Sequence, residues 1–120
     1  MTNVLVIDDD DEVRDFLVRL LTRRGYSVTG ACNGEAGLAS LAAESFALVI
    51  TDIVMPDMEG LETIKRMRRG NPAMPIIAIS GGGSSQVDYL KFARKFGADA
   101  VLAKPFDPDE LLALATRLVP

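Results

Sequence analysis

Few residues in this 120-residue chain have the types and positions to do chemistry, and they lie far apart. Asp8 and Asp9 open an acidic run, Asp8 to Asp11 with Glu12, directly after the apolar stretch "VLVI". Asp52 follows "LVIT", Ser80 closes "PIIAIS", and Lys104 follows "DAVLA" and precedes Pro105. Three carboxylates in one cleft repel unless a cation sits among them. They are hard oxygen donors, and the chain has no histidine and no suitably placed cysteine. The ion that suits them is Mg²⁺ (or Mn²⁺), which takes a few carboxylates, keeps several waters and favours phosphate oxygens. A carboxylate beside such an ion can attack phosphorus and carry the phosphoryl group as an aspartyl phosphate. The ion would neutralise charge on the group in transfer. Lys104 can meet a phosphoryl oxygen as a point charge, and Ser80 can donate a hydroxyl hydrogen bond to another. Asp10 and Asp11 suit a plainer role, capping a helix and complementing its dipole.

The elements that must position these groups alternate. "NVLVI" (3–7) is a short apolar, β-branched run, as expected of a strand buried on both faces. Residues 10–24 then place Val13, Phe16, Leu17, Leu20 and Leu21 at helical spacing, with Gly25 as the stop. Strands follow at 26–31, 46–51, 75–80 and 99–103, and helices at about 34–44, 60–69, 85–96 and 107–119. Asp107 is an N-cap with Pro108 at the first helical position. Five strands alternating with five helices give an α/β fold, a single doubly wound parallel sheet with right-handed crossovers. In such a sheet ligands bind beyond the carboxyl ends of the strands, where the strand order reverses. Asp8, Asp9, Asp52, Ser80 and Lys104 all fall at those ends.

Composition narrows the classes. Hydrophobic content of 48% and charged content of 25% are those of a globular chain. A net charge of −4 offers no basic stripe for nucleic acid. The single cysteine, Cys32, fits a reducing cytosol and reads as a small buried or half-buried residue. No signal peptide or membrane span is legible, so the chain reads as cytoplasmic. Phe106 reads as core packing, and Lys65, Arg66, Arg68 and Arg69 as a solvated helix face.

The segments "VLVIDDDDEVR", "LVITDIVMPDMEGLE", "PIIAIS" and "GADAVLAKPFDPDELL" together resemble the receiver domain of bacterial two-component response regulators, over essentially all of residues 1–120. The resemblance implies one flavodoxin-like receiver domain with strand order 2-1-3-4-5, the order known for the family's chemotaxis member. It implies that Asp52 is the phosphoacceptor, fed by a phosphohistidine on a histidine kinase or histidine phosphotransfer protein. Asp9 and Asp52 would bind Mg²⁺ directly, and Asp8 directly or through water, with the backbone carbonyl of Val54 as a further ligand. Lys104 and Ser80 would contact the phosphoryl group, across a cis Lys104–Pro105 bond. The protein would be a phosphorelay module that turns over no separate substrate.

The sequence departs from the family pattern at Val101, where an aromatic residue usually completes the switch. Gly81, Gly82 and Gly83 make the next connection cheap to move. Val54 and Gly82 offer nothing to orient a hydrolytic water, which implies slow to moderate self-dephosphorylation. The face made by the fourth helix, fifth strand and fifth helix (Tyr89, Lys91, Lys95, Arg117) would serve an effector or self-association, although Ala100 and Leu114 stand where dimer charges are common. The acidic run also suggests two other readings. A haloacid-dehalogenase-type phosphohydrolase would use Asp8 of the Asp8-x-Asp10 pair, but needs a later acidic pair and a cap insertion. A flavodoxin-like cofactor binder would have its phosphate repelled by the acids after the first strand.

Overall fold

The computed structural model describes residues 2–53, 60–80, 94–95 and 97–119. The elements are β1 (Asn3–Ile7), α1 (Asp11–Arg23), β2 (Ser27–Ala31), α2 (Gly34–Ala43), β3 (Leu48–Asp52), α3 (Gly60–Gly70), β4 (Ile76–Ser80), β5 (Ala100–Ala103) and α4 (Pro108–Leu118). All five strands are parallel in one sheet, ordered β2-β1-β3-β4-β5. The described residues thus carry four helices. The helix expected over 85–96, the glycine run 81–83, Val54, Tyr89 and Lys91 lie outside them, apart from a helical pair at 94–95.

Both faces of the sheet are covered at β1, β3 and β4, which explains why those strands read as largely apolar runs, while the edge strand β2 is partly exposed. Leu5, Ile7, Val49, Ile76 and Ala78 pack with Ile64 and Met67 of α3 and, half-buried, Leu38 and Leu41 of α2. The alternate residues Val4, Val6, Leu48, Ile50, Ile77, Ile79 and Leu102 pack with Leu17 and Leu21 of α1 and Leu111 and Leu112 of α4. Continued along each chain, the two-residue alternation assigns Asp8, Asp52 and Lys104 to that second face. Three residues drawn from β1, β3 and the end of β5 therefore share one side of the rim.

Local chemistry sets the helix ends. Asp10 caps α1, its carboxylate accepting from Glu12 N at 2.9 Å, and Asn33 caps α2, accepting from Ala36 N at 2.7 Å. Asp107 caps α4 with Pro108 in the first turn. Past α1 the chain turns at Gly25, whose φ of +93° suits a residue without a Cβ.

Several expectations need correction. β3 begins at Leu48 and includes Asp52, because Asp52 pairs with Ile79 and extends the ladder to Ile53, whose N–H reaches the Ile79 carbonyl at 2.9 Å. Phe16 is not core but 46% exposed, since it lies about 100° around the helix from Leu17 and off the buried stripe. Cys32 is exposed, in the bend between β2 and the Asn33 cap. Arg68 does not belong to a solvated face. Its guanidinium donates to the carbonyls of Pro72 (2.8 Å), Met74 (2.7 Å) and Gly97 (2.5 Å) and pairs with Asp99 at 3.1 Å, so it ties the end of α3 to the segments entering β4 and β5. Lys65, Arg66 and Arg69 are exposed as expected, and Phe106 is half-buried against the α1–α4 core.

Gly60 explains the glycine that closes "MPDMEG". A Cβ there would stand 2.2 Å from Ile53 Cα and 2.6 Å from the Asp52 carbonyl oxygen, so α3 starts directly against the end of β3. Gly60→Ala is expected to lower the unfolding free energy by about 3 kcal/mol, the upper range for overpacking. The check is the urea midpoint at constant slope.

Candidate metal and phosphoryl site

The carboxyl ends of β1 and β3 meet at the point where strand order reverses, with β2 laid on one side of β1 and β3 on the other. Asp8 follows β1 and is 1% exposed. Its N–H donates to the Ala31 carbonyl at 3.1 Å. Its Oδ1 accepts from Asp10 N at 2.9 Å, and its Oδ2 from Lys104 Nζ at 3.3 Å. Asp52, 5% exposed at the end of β3, accepts from the same ammonium group at 3.1 Å. The Thr51 hydroxyl donates to the Asp52 carbonyl at 3.0 Å, fixing the peptide behind the carboxylate. Asp9, the residue after Asp8, is exposed.

One carboxylate oxygen from each of Asp8, Asp9 and Asp52 falls within 4.8 Å of the others. Oxygens on one Mg²⁺-sized ion lie about 3 to 4 Å apart, so the three carboxylates would draw together around it. The donor set is all oxygen and anionic, and it fits a hard divalent cation. The sequence-predicted residues Asp8, Asp9, Asp52 and Lys104 are therefore brought together. Ser80 is fully buried at the end of β4, in register with Ala103, and its carbonyl accepts from Lys104 N at 2.7 Å. The Lys104–Pro105 bond is cis. Val101 pairs with Ala78 and packs, half-buried, on the α2–α3 face, where it offers no ring or phenol. Val54 lies outside the described residues.

Burial pushes the Asp8 carboxyl above its ordinary value of 3.8, with the Asp52 charge adding to the rise, against the opposing Asp10 N–H and Lys104. Burial alone would depress Lys104, but Asp52 and Asp8 outweigh it and hold the ammonium above its ordinary 10.5. The two signs have different consequences. The stabilisation from Lys104 is present below its ordinary value and is lost as pH rises through its folded one. Ionised Asp8 costs stability at neutral pH, and that cost shrinks as pH falls through its folded value and is gone below 3.8.

Sequence reading missed one contributor, Arg14. It lies in the first turns of α1, where the helix dipole disfavours a cation, and that misplacement was the available signal of a local partner. Its guanidinium donates to the Asp8 carbonyl at 2.8 Å and pairs with Asp11 at 2.5 Å.

The sequence profile described as "Response regulator receiver domain" matches residues 4–116. The chain belongs to the response regulator receiver family. It is 37% identical over 116 residues to the DNA-binding transcriptional regulator NtrC of Salmonella typhimurium, covering 97% of this chain and 24% of that protein. It is 38% identical over 112 residues to the transcriptional regulatory protein FixJ of Bradyrhizobium diazoefficiens, covering 93% of this chain and 54% of that one. The chain thus spans about a quarter to a half of these regulators. Among solved structures, the receiver domain protein of Clostridium thermocellum matches with a TM-score of 0.91 at 28% identity, over 99% of this chain and 94% of that one. The chemotaxis response regulator CheY4 of Vibrio cholerae matches at 0.89 and 30%, over 99% of both chains. These receivers share the flavodoxin-like five-stranded sheet found here. Among the described residues, no helix is long and apolar enough to cross a membrane.

The pH argument gives a measurable outcome. Asp8→Asn removes a carboxylate whose ionisation is unfavourable, so the metal-free variant should melt above the wild type at pH 7. Acidification should close that gap as Asp8 takes its proton. Thermal melts in EDTA at several pH values check it.

Proposed function

We propose that residues 1–120 act as one receiver unit of a two-component phosphorelay, accepting on Asp52 a phosphoryl group from a phosphohistidine. The observation that carries this reading is the Lys104 ammonium lying between Asp8 and Asp52, 3.3 and 3.1 Å away, with Asp9 beside them at the β1/β3 switch point. The donor is a histidine kinase or histidine phosphotransfer protein, in keeping with the two-component family and with a chain that has no histidine.

In this reading Asp9 and Asp52 hold Mg²⁺ directly, Asp8 holds it directly or through water, and the Val54 carbonyl completes the set. The ion, when bound, offsets the negative charge gathering around phosphorus. Asp52 supplies an oxygen to phosphorus as the phosphorus–nitrogen bond breaks, and the imidazole leaves with the bonding electron pair. Lys104 exchanges a carboxylate partner for a phosphoryl oxygen, and Ser80 donates its hydroxyl to another. The receiver-family match over residues 4–116 favours Asp52 over the haloacid-dehalogenase alternative, which would use Asp8 and need a cap insertion.

No separate metabolite is turned over in this scheme, and the cytoplasm is the compartment it requires. Output passes through β5, the last helix α4 and the segment between β4 and β5, where Lys95 and Arg117 are exposed. With Val101 in place of an aromatic residue, either Ser80 with the segment that follows it carries the switch or another group substitutes for the ring.

Incubation with acetyl phosphate and Mg²⁺ followed by intact mass tests the reading. The wild type should gain about 80 Da, while Asp52→Asn and EDTA-treated protein should gain nothing, as an aspartyl phosphate requires. Lys104→Ala should label about 100-fold more slowly, the usual effect of removing one charge-stabilising donor. Labelling that persists in Asp52→Asn and disappears in Asp8→Asn would transfer the nucleophile to Asp8.

A further inference from the structure

Asp8 is held on four sides. Ala31 O receives its N–H, Asp10 N and Lys104 Nζ take its two carboxylate oxygens, and Arg14 Nη1 takes its carbonyl at 2.8 Å. The last of these holds the peptide that leads into Asp9. The Asp8 carbonyl and the Asp9 N–H belong to a single planar peptide unit, so fixing one orients the other. Asp9 is exposed and lies at the mouth of the cluster, where solvent would otherwise leave its direction free.

Arg14 is itself tightly seated. Its second nitrogen, Nη2, pairs with Asp11 at 2.5 Å, and its side chain is 18% exposed. Its stem crosses Gly30 in β2, where an added Cβ would stand 3.3 Å from Arg14 Cδ and 3.4 Å from Cγ. Asp11 compensates the guanidinium charge. Arg14 therefore has a fork anchored at both tines, a stem held against a bare backbone, and a carbonyl of the acidic loop as its target.

From this geometry we infer that Arg14 is a positioning residue for the divalent cation, setting the peptide that aims Asp9 at the Asp8–Asp52 pair. The inference rests on the metal reading proposed above. It makes a prediction opposite in sign to electrostatics. Removing a positive charge near a cation site should strengthen cation binding by Coulomb's law. Loss of positioning should weaken it, by roughly tenfold or more, as when other outer partners of metal ligands are removed.

The test is calorimetric titration of unphosphorylated wild type, R14Q and R14K with MgCl₂, alongside thermal melts with and without the metal. R14Q should bind Mg²⁺ roughly tenfold more weakly, and its Mg²⁺-induced rise in melting temperature should shrink. A purely structural role would lower both melting temperatures equally and leave the affinity unchanged. R14Q that binds as tightly as the wild type, or more tightly, overturns the inference. Should R14Q fail to fold, R14K decides by the same criterion. It keeps the charge but cannot hold both anchors, so weaker binding supports the inference and equal binding overturns it. Wild type that takes up no Mg²⁺ removes the metal reading and the inference together.

Discussion

An ammonium group held between two buried carboxylates is the interaction on which the rest of this structure depends. Lys104 comes from the end of β5 and Asp8 and Asp52 from the ends of β1 and β3, so their meeting joins β5 to strands three and two places away in the sheet. A hydrophobic core alone would not place two acids there. Desolvation works against Asp8, and the Asp52 charge compounds it. The fold tolerates the arrangement because the apolar faces around it are complete, and natural proteins concentrate such local costs at functional sites.

The positions of these groups follow from sheet geometry. Residues two apart share a face, and Val4, Val6, Leu48, Ile50 and Leu102 all face α1 and α4. Asp8, Asp52 and Lys104 continue that phase beyond or at the last ladder pair, where the packing helices give way to solvent. Gly60 brings α3 against the Ile53 backbone, and the Thr51 hydroxyl ties the Asp52 carbonyl. The Asp52 carboxylate thus stands on backbone that has little room to shift. Arg14 does the same for the Asp8–Asp9 peptide.

What could be read from the chain divides by the range of the interaction. Strand runs, helix caps at Asp10 and Asp107 and the stop at Gly25 depend on neighbours a few residues away, and they were legible. The convergence of Asp8, Asp9, Asp52 and Lys104 was legible because a parallel α/β sheet sends every strand end to one rim. Arg68 was not: beside Lys65, Arg66 and Arg69 it looks like surface, and its partners at Gly97 and Asp99 lie 29 and 31 residues away. Phe16 misled because apolar character at approximate helical spacing does not say where a buried stripe ends. Cys32 misled because residue type predicts burial only on average, and a bend between strand and helix overrode it. Arg14 needed a local electrostatic question that composition does not prompt.

The central claim is that Asp8, Asp9 and Asp52 form one divalent-cation pocket beside Lys104. Anomalous diffraction from crystals soaked in MnCl₂ addresses it most directly, since Mn²⁺ shares the oxygen preference of Mg²⁺. The account predicts one strong peak among the three carboxylates, about 2.2 Å from oxygens of Asp9 and Asp52, with Lys104 Nζ displaced from at least one of its present partners. Manganese bound elsewhere, with the Lys104 bridge between Asp8 and Asp52 intact, would contradict it.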